Sequence, residues 1–554
     1  MPVNNRQSAS ADAQTPRRLD AVVVGAGFSG LYMLHRLREL GLSARVFEAG
    51  DGVGGTWYWN RYPGARCDSE SYYYSYSFSD ELQQEWRWSE RYPGQPEIMN
   101  YLNHVADKFD LRPDIQLSTR IARAVFDATS DEWSVDTDGG ERFSARFLIT
   151  AVGCLSSANI PQIDGLDDFA GDWHHTGQWP HEGVDFRGKR VGVIGTGSTG
   201  IQAIPVIAEQ AAHLTVFQRT ANYSVPARNA PLDPAEENAY KADYAAIRRK
   251  QRESANCHPF DVSDTPALAV SDDERQTRYE ASWERGSLRF RTVFKDLLTD
   301  EAANATASEF IRDKIRATVD DPQTAETLTP YDHPFATKRP PIDTHYFETY
   351  NRDNVSLVDV RRTPIEAMNA GGLRTSEAHY PLDALVFATG FDAMTGALLN
   401  IDIEGRDGQK LADKWAAGPR TYLGLQMAGF PNLFTITGPG SPSVLTNMPT
   451  SIEQHVDWIS DCIDHMRNQG LTRIEASAQS EDRWVAHVND AAEQTLLPKA
   501  NSSWYLGANV PGKPRIFMPY AGGAAHYRQI CEAVAANGYD GFVFKARPQA
   551  RAAG

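Results

Sequence analysis

Val22-Val23-Val24-Gly25-Ala26-Gly27-Phe28-Ser29-Gly30 is the stretch that decides the fold. A β-branched run enters a G-x-G-x-x-G turn, after which Leu31, Leu34, Leu37 and Leu40 recur at helical spacing until Gly41. Strand, glycine turn and helix in that order form a dinucleotide fingerprint. Gly25 permits the tight turn, Gly27 lets the backbone approach a pyrophosphate, and Gly30 lets helix and strand pack closely, with the phosphates at the positive helix N-terminus beside Ser29. A second strand, Ala44-Arg45-Val46-Phe47, ends in Glu48, 23 residues after Gly25. A carboxylate at that place accepts from a ribose hydroxyl and repels a 2′-phosphate, so this half is expected to hold the adenosine of FAD, or of NAD.

The pattern occurs twice. Arg190-Val191-Gly192-Val193-Ile194 is a second strand, and Gly195-Thr196-Gly197-Ser198-Thr199-Gly200 opens a second helix. Counting 23 from Gly195 reaches Gln218, followed by Arg219, where the first copy has Glu48 and Ala49. The acid is gone and a guanidinium able to grip a 2′-phosphate stands next door, which predicts NADPH over NADH. Two copies of opposite character imply an α/β protein with two Rossmann-like domains.

At 554 residues the chain is too long for one ordinary core. Its net charge of −17, from 55 basic and 72 acidic residues, argues against nucleic acid and anionic membranes as partners. No apolar run approaches the roughly 20 residues that span a bilayer. Met1 to Asp20 is polar and lacks a signal peptide's apolar region, so a disordered lead-in is expected. Five widely spaced cysteines suggest neither a disulfide framework nor a metal site. A cytoplasmic enzyme, monomeric or weakly oligomeric, is expected.

Between the copies, Ala124-Val125-Phe126, Trp133-Ser134-Val135 and Phe147-Leu148-Ile149 read as strands with a turn at Asp138-Gly139-Gly140. From about Ala230 to Pro341 the chain turns charged and helix-forming. Ser271 to Glu274 is a capping box, and Phe310, Ile311, Ile315 and Val319 share a helix face that must end before Pro322. Leu385-Val386-Phe387 is a buried strand running into Ala388-Thr389-Gly390, and Asn447-Met448 opens a helix carrying Ile452, Val456 and Ile459. Ile149 to Gly153 and Ala388-Thr389-Gly390 resemble the two crossings between domains in two-dinucleotide flavoproteins, and that resemblance implies an FAD-binding domain over 21–157 and 392–554, an NADP-binding domain over 158–229 and 342–391, and a helical insertion over 230–341.

Three further segments carry a family resemblance. Phe169-Ala170-Gly171-Asp172-Trp173-His174-His175-Thr176-Gly177-Gln178-Trp179-Pro180 reads F-x-G-x-x-x-H-x-x-x-W-P. Gly54-Gly55-Thr56-Trp57-Tyr58-Trp59 runs on to Cys67-Asp68, and Lys338-Arg339 precedes Pro340-Pro341. The chain resembles the Baeyer–Villiger monooxygenases from about Ala21 to Phe544, and within them the phenylacetone and steroid monooxygenase branch. The resemblance implies an FAD- and NADPH-dependent enzyme that inserts one oxygen atom of O2 beside a ketone carbonyl, giving an ester or lactone through a C4a-peroxyflavin and a tetrahedral adduct. It implies Arg339 as the catalytic cation with Asp68 beside it. It adds Gly55, Thr56, Trp57, Trp59, Asp68, Tyr74, Ile121 and Met448 to the FAD site, and Gln202, Thr220, Lys338, Arg339 and Trp504 to the NADP site. The motif with Phe169, Gly171, His175, Trp179 and Pro180 becomes a hinge between the two nucleotide segments. A flavin N- or S-monooxygenase, or a non-catalytic flavin redox sensor, is the alternative; Trp179-Pro180 and the Lys338-Arg339 loop disfavour the former.

Overall fold

A computed structural model describes residues 16–546. In the first sheet, Arg17–Val24 lies between Ala44–Phe47 and Arg142–Thr150, parallel to both. Ile115–Gln116 extends the sheet beyond Ala44–Phe47, and Leu433–Thr435 pairs with the C-terminal half of Arg142–Thr150. The N-terminal half of that long strand turns instead to an antiparallel meander with Glu132–Thr137 and Ile121–Asp127, which Asp402–Glu404 closes. The second sheet is wholly parallel, in the order Val355–Asp359, His213–Gln218, Arg190–Ile194, Ala384–Phe387, Asp172–His175.

The two sheets repeat one local design, and the glycines show why. Gly25 and Gly195 both have positive φ (103° and 111°). A Cβ on Gly25 would lie 2.6 Å from Ala151 O, and one on Gly195 would lie 2.4 Å from Ala388 O. Gly30 and Gly200 pack their helices onto the carbonyls of those same two glycines, leaving no room for a Cβ. The helices Phe28–Glu39 and Ser198–Gln210 therefore start tight against their strands, with their N-termini at the sheet's C-terminal edge.

One expectation is corrected at the N-terminus. The polar lead-in was placed at residues 1–20, but Arg17 to Leu19 are strand, in register with Phe143 to Ala145. Arg18 pairs with Glu132 and Arg17 with Glu141 at 3.8 Å, so ladder hydrogen bonds and exposed ion pairs hold a stretch whose composition reads as loop. The rest of that lead-in, residues 1–15, lies outside the described residues. The motif expected to act as a hinge is built into the second sheet: Asp172–His175 is its edge strand, and Phe169, His175 and Trp179 are buried.

Residues 230–341 hold the helices Pro234–Ala242, Tyr244–Glu253, Asp272–Arg285, Glu301–Thr318 and Pro322–Leu328. They grip the first sheet's side of the molecule through Arg248, whose buried guanidinium donates to the carbonyls of Tyr72, Tyr73 and Tyr76, to Ser75 Oγ (2.7 Å) and to Gln83 Oε1 (2.9 Å). Replacing Arg248 by Ala removes the side-chain donor from the Tyr76 carbonyl and one of two donors from those of Tyr72 and Tyr73, which keep Ser75 Oγ and Gln251 Nε2. We expect a loss of about 3 kcal/mol, seen as faster hydrogen exchange across residues 72–76, with unchanged exchange in the second sheet.

Candidate active site

Three segments distant in sequence meet at Arg339. Its Nε and Nη2 donate to Asp68 Oδ2 and Oδ1 at 2.5 and 2.7 Å, a two-pronged pair, and its Nη1 donates to the Val444 carbonyl at 3.2 Å. Asp68 lies on the loop that follows the first nucleotide half, and Val444 on the short turn Ser443–Leu445 just ahead of the helix Met448–Asn468. The Arg339 loop is fixed from behind by the parallel bridge of Val225–Pro226 with Ile342–Asp343 and by Val225 N donating to Pro341 O at 3.0 Å. Burial pulls the guanidinium's pKa down, but the Asp68 charge and hydrogen bonds outweigh it, and the net shift is upward. Arg339 thus stays charged at every working pH.

The first fingerprint offers a cradle for a pyrophosphate. Gly27 faces Gly55, so that a Cβ on either would lie 3.2 or 2.8 Å from the other's Cα. Glu48 is buried and accepts from Ala26 N and Gly50 N, both at 2.8 Å, which orients its carboxylate at the strand end. Ser29 is buried in the first turn, and Gly55 caps the short helix Thr56–Trp59. Trp57 Nε1 donates to Tyr74 Oη at 3.1 Å. Met448 packs against the core cluster that includes Trp57, while Ile121 is buried in another with Val22, Val24 and Phe47.

At the second fingerprint a Cβ on Gly197 would meet nothing within 4 Å, so that turn is open to a ligand. Thr196 Oγ1 donates to Thr220 O at 2.9 Å and ties the turn to the segment after Arg219. Gln218 is buried and donates to Thr327 O at 2.7 Å, but its Oε1 has no partner among the described residues. Arg219 is exposed, and its charge and that of Arg361 both bear on Lys338. Burial is the first cause of the Lys338 shift and outweighs the pull of Asp332; the two guanidinium charges add to it, and Lys338 is lowered to about 8. Three cations so gathered, with the acid of the first copy replaced by Gln218, fit a 2′-phosphate.

Gln202, assigned above to the NADP site, also ties its helix to the first nucleotide half. Its Oε1 accepts from Tyr62 Oη at 2.8 Å and its Nε2 donates to Arg66 O at 3.1 Å, joining the second helix to the loop that carries Asp68. Trp504 is half-buried at the edge of a cluster with Tyr505, rings 4.4 Å apart. Burial lowers His175 to about 4, which keeps it neutral near pH 7, and its Nδ1 accepts from Gly177 N at 3.0 Å. Sequence reading missed Val444, whose contribution is a backbone carbonyl and carries no residue-type signal. It also missed Arg291 of the helical insertion, whose guanidinium feels the Arg339 charge.

Comparison with known proteins settles the family. The family described as "Pyridine nucleotide-disulphide oxidoreductase" matches residues 22–257. The acetone monooxygenase (methyl acetate-forming) of Gordonia sp. (strain TY-5) is 46% identical over 95% of this chain and 98% of its own length. The chain belongs to the Baeyer–Villiger monooxygenases. A solved structure of oxidized steroid monooxygenase bound to NADP is 56% identical, with a TM-score of 0.91 over 96% of this chain and all of that one. The OTEMO complex with FAD and NADP is 41% identical, with a TM-score of 0.92 over the same shares. The disulphide part of the matched family's description has no counterpart in this chain: all five cysteines are buried and free, and Cys67, beside Asp68, has no partner.

Proposed function

We propose that the chain turns ketones into esters or lactones by inserting one atom of O2, consuming one NADPH and releasing one water, with FAD at the first fingerprint and NADPH at the second. The observation that carries this is the Arg339–Asp68 pair, a permanent cation held at the junction of two nucleotide cradles. When bound, the flavin supplies the redox chemistry that takes reducing equivalents from NADPH and activates O2. Arg339 offers a fixed positive charge where negative charge develops on oxygen during insertion, and it has no dissociable proton to quench that charge. Asp68 holds the guanidinium in one orientation, and Val444 fixes its remaining edge.

In this reading Gly25, Gly27, Ser29, Gly30, Glu48, Gly55, Thr56, Trp57, Trp59, Tyr74, Ile121 and Met448 hold FAD. The turn from Gly195 to Gly200, with Gln202, Arg219, Thr220, Lys338, Arg339 and Trp504, holds NADP, and Gln202 also keeps the two cradles in register. The domains follow the limits drawn from the sequence, with the first begun at Arg17 instead of 21: 17–157 with 392–554, 158–229 with 342–391, and the insertion 230–341. No described helix is long and apolar enough to cross a membrane. A monomeric or weakly oligomeric cytoplasmic enzyme completes the reading. Incubation of the FAD-loaded protein with NADPH, ¹⁸O2 and a panel of aryl, cyclic and polycyclic ketones tests it. One labelled oxygen per ester is expected, and NADPH consumption yielding only hydrogen peroxide with every ketone overturns the proposal.

The cation cluster also sets a pH dependence. Lys338, lowered to about 8, is neutral above that pH in the free protein, whereas a bound 2′-phosphate favours its charged form. NADP⁺ binding should weaken as pH rises above 8, by up to about tenfold per unit. Titration of Lys338→Met should show that slope largely removed, and an unchanged slope would assign the titration to another group.

A further inference from the structure

The insertion places one guanidinium beside the active site with nothing to bind. Arg291, on the short helical turn Leu288–Thr292, has Nε and Nη2 buried, and neither finds a hydrogen-bond partner among the described residues. Its charge bears on Arg339, Asp68, Tyr505 and Tyr73, which places it against the same centre. The carboxylates nearby are already engaged. Asp68 takes both prongs of Arg339, while Glu70, on the same loop, accepts from Arg91 at 2.9 Å and from Arg289 at 3.4 Å. Two other buried polar atoms of this neighbourhood, Tyr73 Oη and His258 Nδ1, also lack partners, although His258 Nε2 meets Ser69 Oγ at 3.1 Å and its ring lies 5.5 Å from that of Tyr73.

A buried guanidinium without a counter-charge is costly to keep, and buried polar groups left open mark a place where a ligand's own polar groups enter. The phosphates of the two nucleotides have their places at the glycine turns and at Arg219, Lys338 and Arg361. None of those explains Arg291. We propose that Arg291 is a specificity-determining residue that receives an anionic oxygen group, a carboxylate by preference, on the far part of the ketone substrate, so that the favoured substrates are keto acids. The inference rests on the ketone reading above.

The test uses the FAD-loaded enzyme with methyl ketones bearing a terminal carboxylate on chains of graded length, each paired with its methyl ester, which removes the charge and keeps the reach. At the best length the wild type should favour acid over ester in kcat/KM, and Arg291→Met should lower that acid-to-ester ratio by about 30-fold, the scale of one charge-assisted hydrogen bond. The change should fall mainly in KM, and Arg291→Lys should restore part of the ratio. Binding of each acid is also read directly, from the perturbation of flavin absorbance. An unchanged ratio in Arg291→Met at every length overturns the inference, and so does a rise in KM for NADPH that is the same with acid and ester, which would give Arg291 to the cofactor. If the wild type oxygenates no ketone at all, the ketone reading falls, while the absorbance titration of acid against ester still decides what Arg291 binds.

Discussion

Arg339→Ala should reduce ketone oxygenation by at least 10²- to 10³-fold, the usual cost of removing one preorganised electrostatic donor, while NADPH still reduces the flavin. The two steps separate because hydride transfer between bound cofactors asks the protein for position, whereas oxygen insertion builds negative charge that needs a fixed cation. In this variant NADPH would be consumed and hydrogen peroxide released with little ester. Arg339→Lys keeps a charge but cannot make the two-pronged pair with Asp68 that the 2.5 and 2.7 Å contacts describe, so it should recover only part of the rate. Ester formation by Arg339→Ala at near wild-type rate would remove the residue from the chemistry. Simultaneous loss of flavin reduction would instead make it a cofactor-binding group.

Arg219→Ala should raise KM for NADPH by about 10- to 100-fold and leave KM for NADH nearly unchanged, because the group it meets, the 2′-phosphate, exists only on NADPH. Gln218 cannot compensate, since it is buried and committed to Thr327 O. The Arg219→Ala/Lys338→Met double variant should lose most of the remaining preference for NADPH, given how closely the two charges interact. Equal effects of Arg219→Ala on both coenzymes would refute the assignment.

The strands and helices of both nucleotide folds were legible because their signals are local. Glycine at 25, 27 and 30, and again at 195 and 200, answers to close approaches that leave little or no room for a Cβ, while Gly197 leaves its turn open, and the switch from Glu48 to Gln218-Arg219 is visible in register. The Arg339–Asp68 contact was reachable only through resemblance, since 271 residues separate the partners and no spacing rule joins them. Val444 was illegible because its backbone carbonyl does the binding. The bridge from Gln202 to Tyr62 and Arg66 was illegible too, since about 136 to 140 residues separate the partners. The strand at Arg17 to Leu19 escaped notice because Arg17 and Arg18 are hydrophilic and are held by neighbouring strands rather than by burial. Arg291 lies in a charged helical region whose composition suggests surface, and only the folded chain turns it inward.

The most direct measurement is a crystal structure of the protein with FAD and NADP⁺ bound. The Arg339 guanidinium should lie beside the isoalloxazine, still paired with Asp68 and with the nicotinamide coenzyme held by Arg219 and Lys338. A guanidinium turned to bulk solvent, far from the flavin and with no nicotinamide site facing it, would contradict that placement and with it the proposed chemistry.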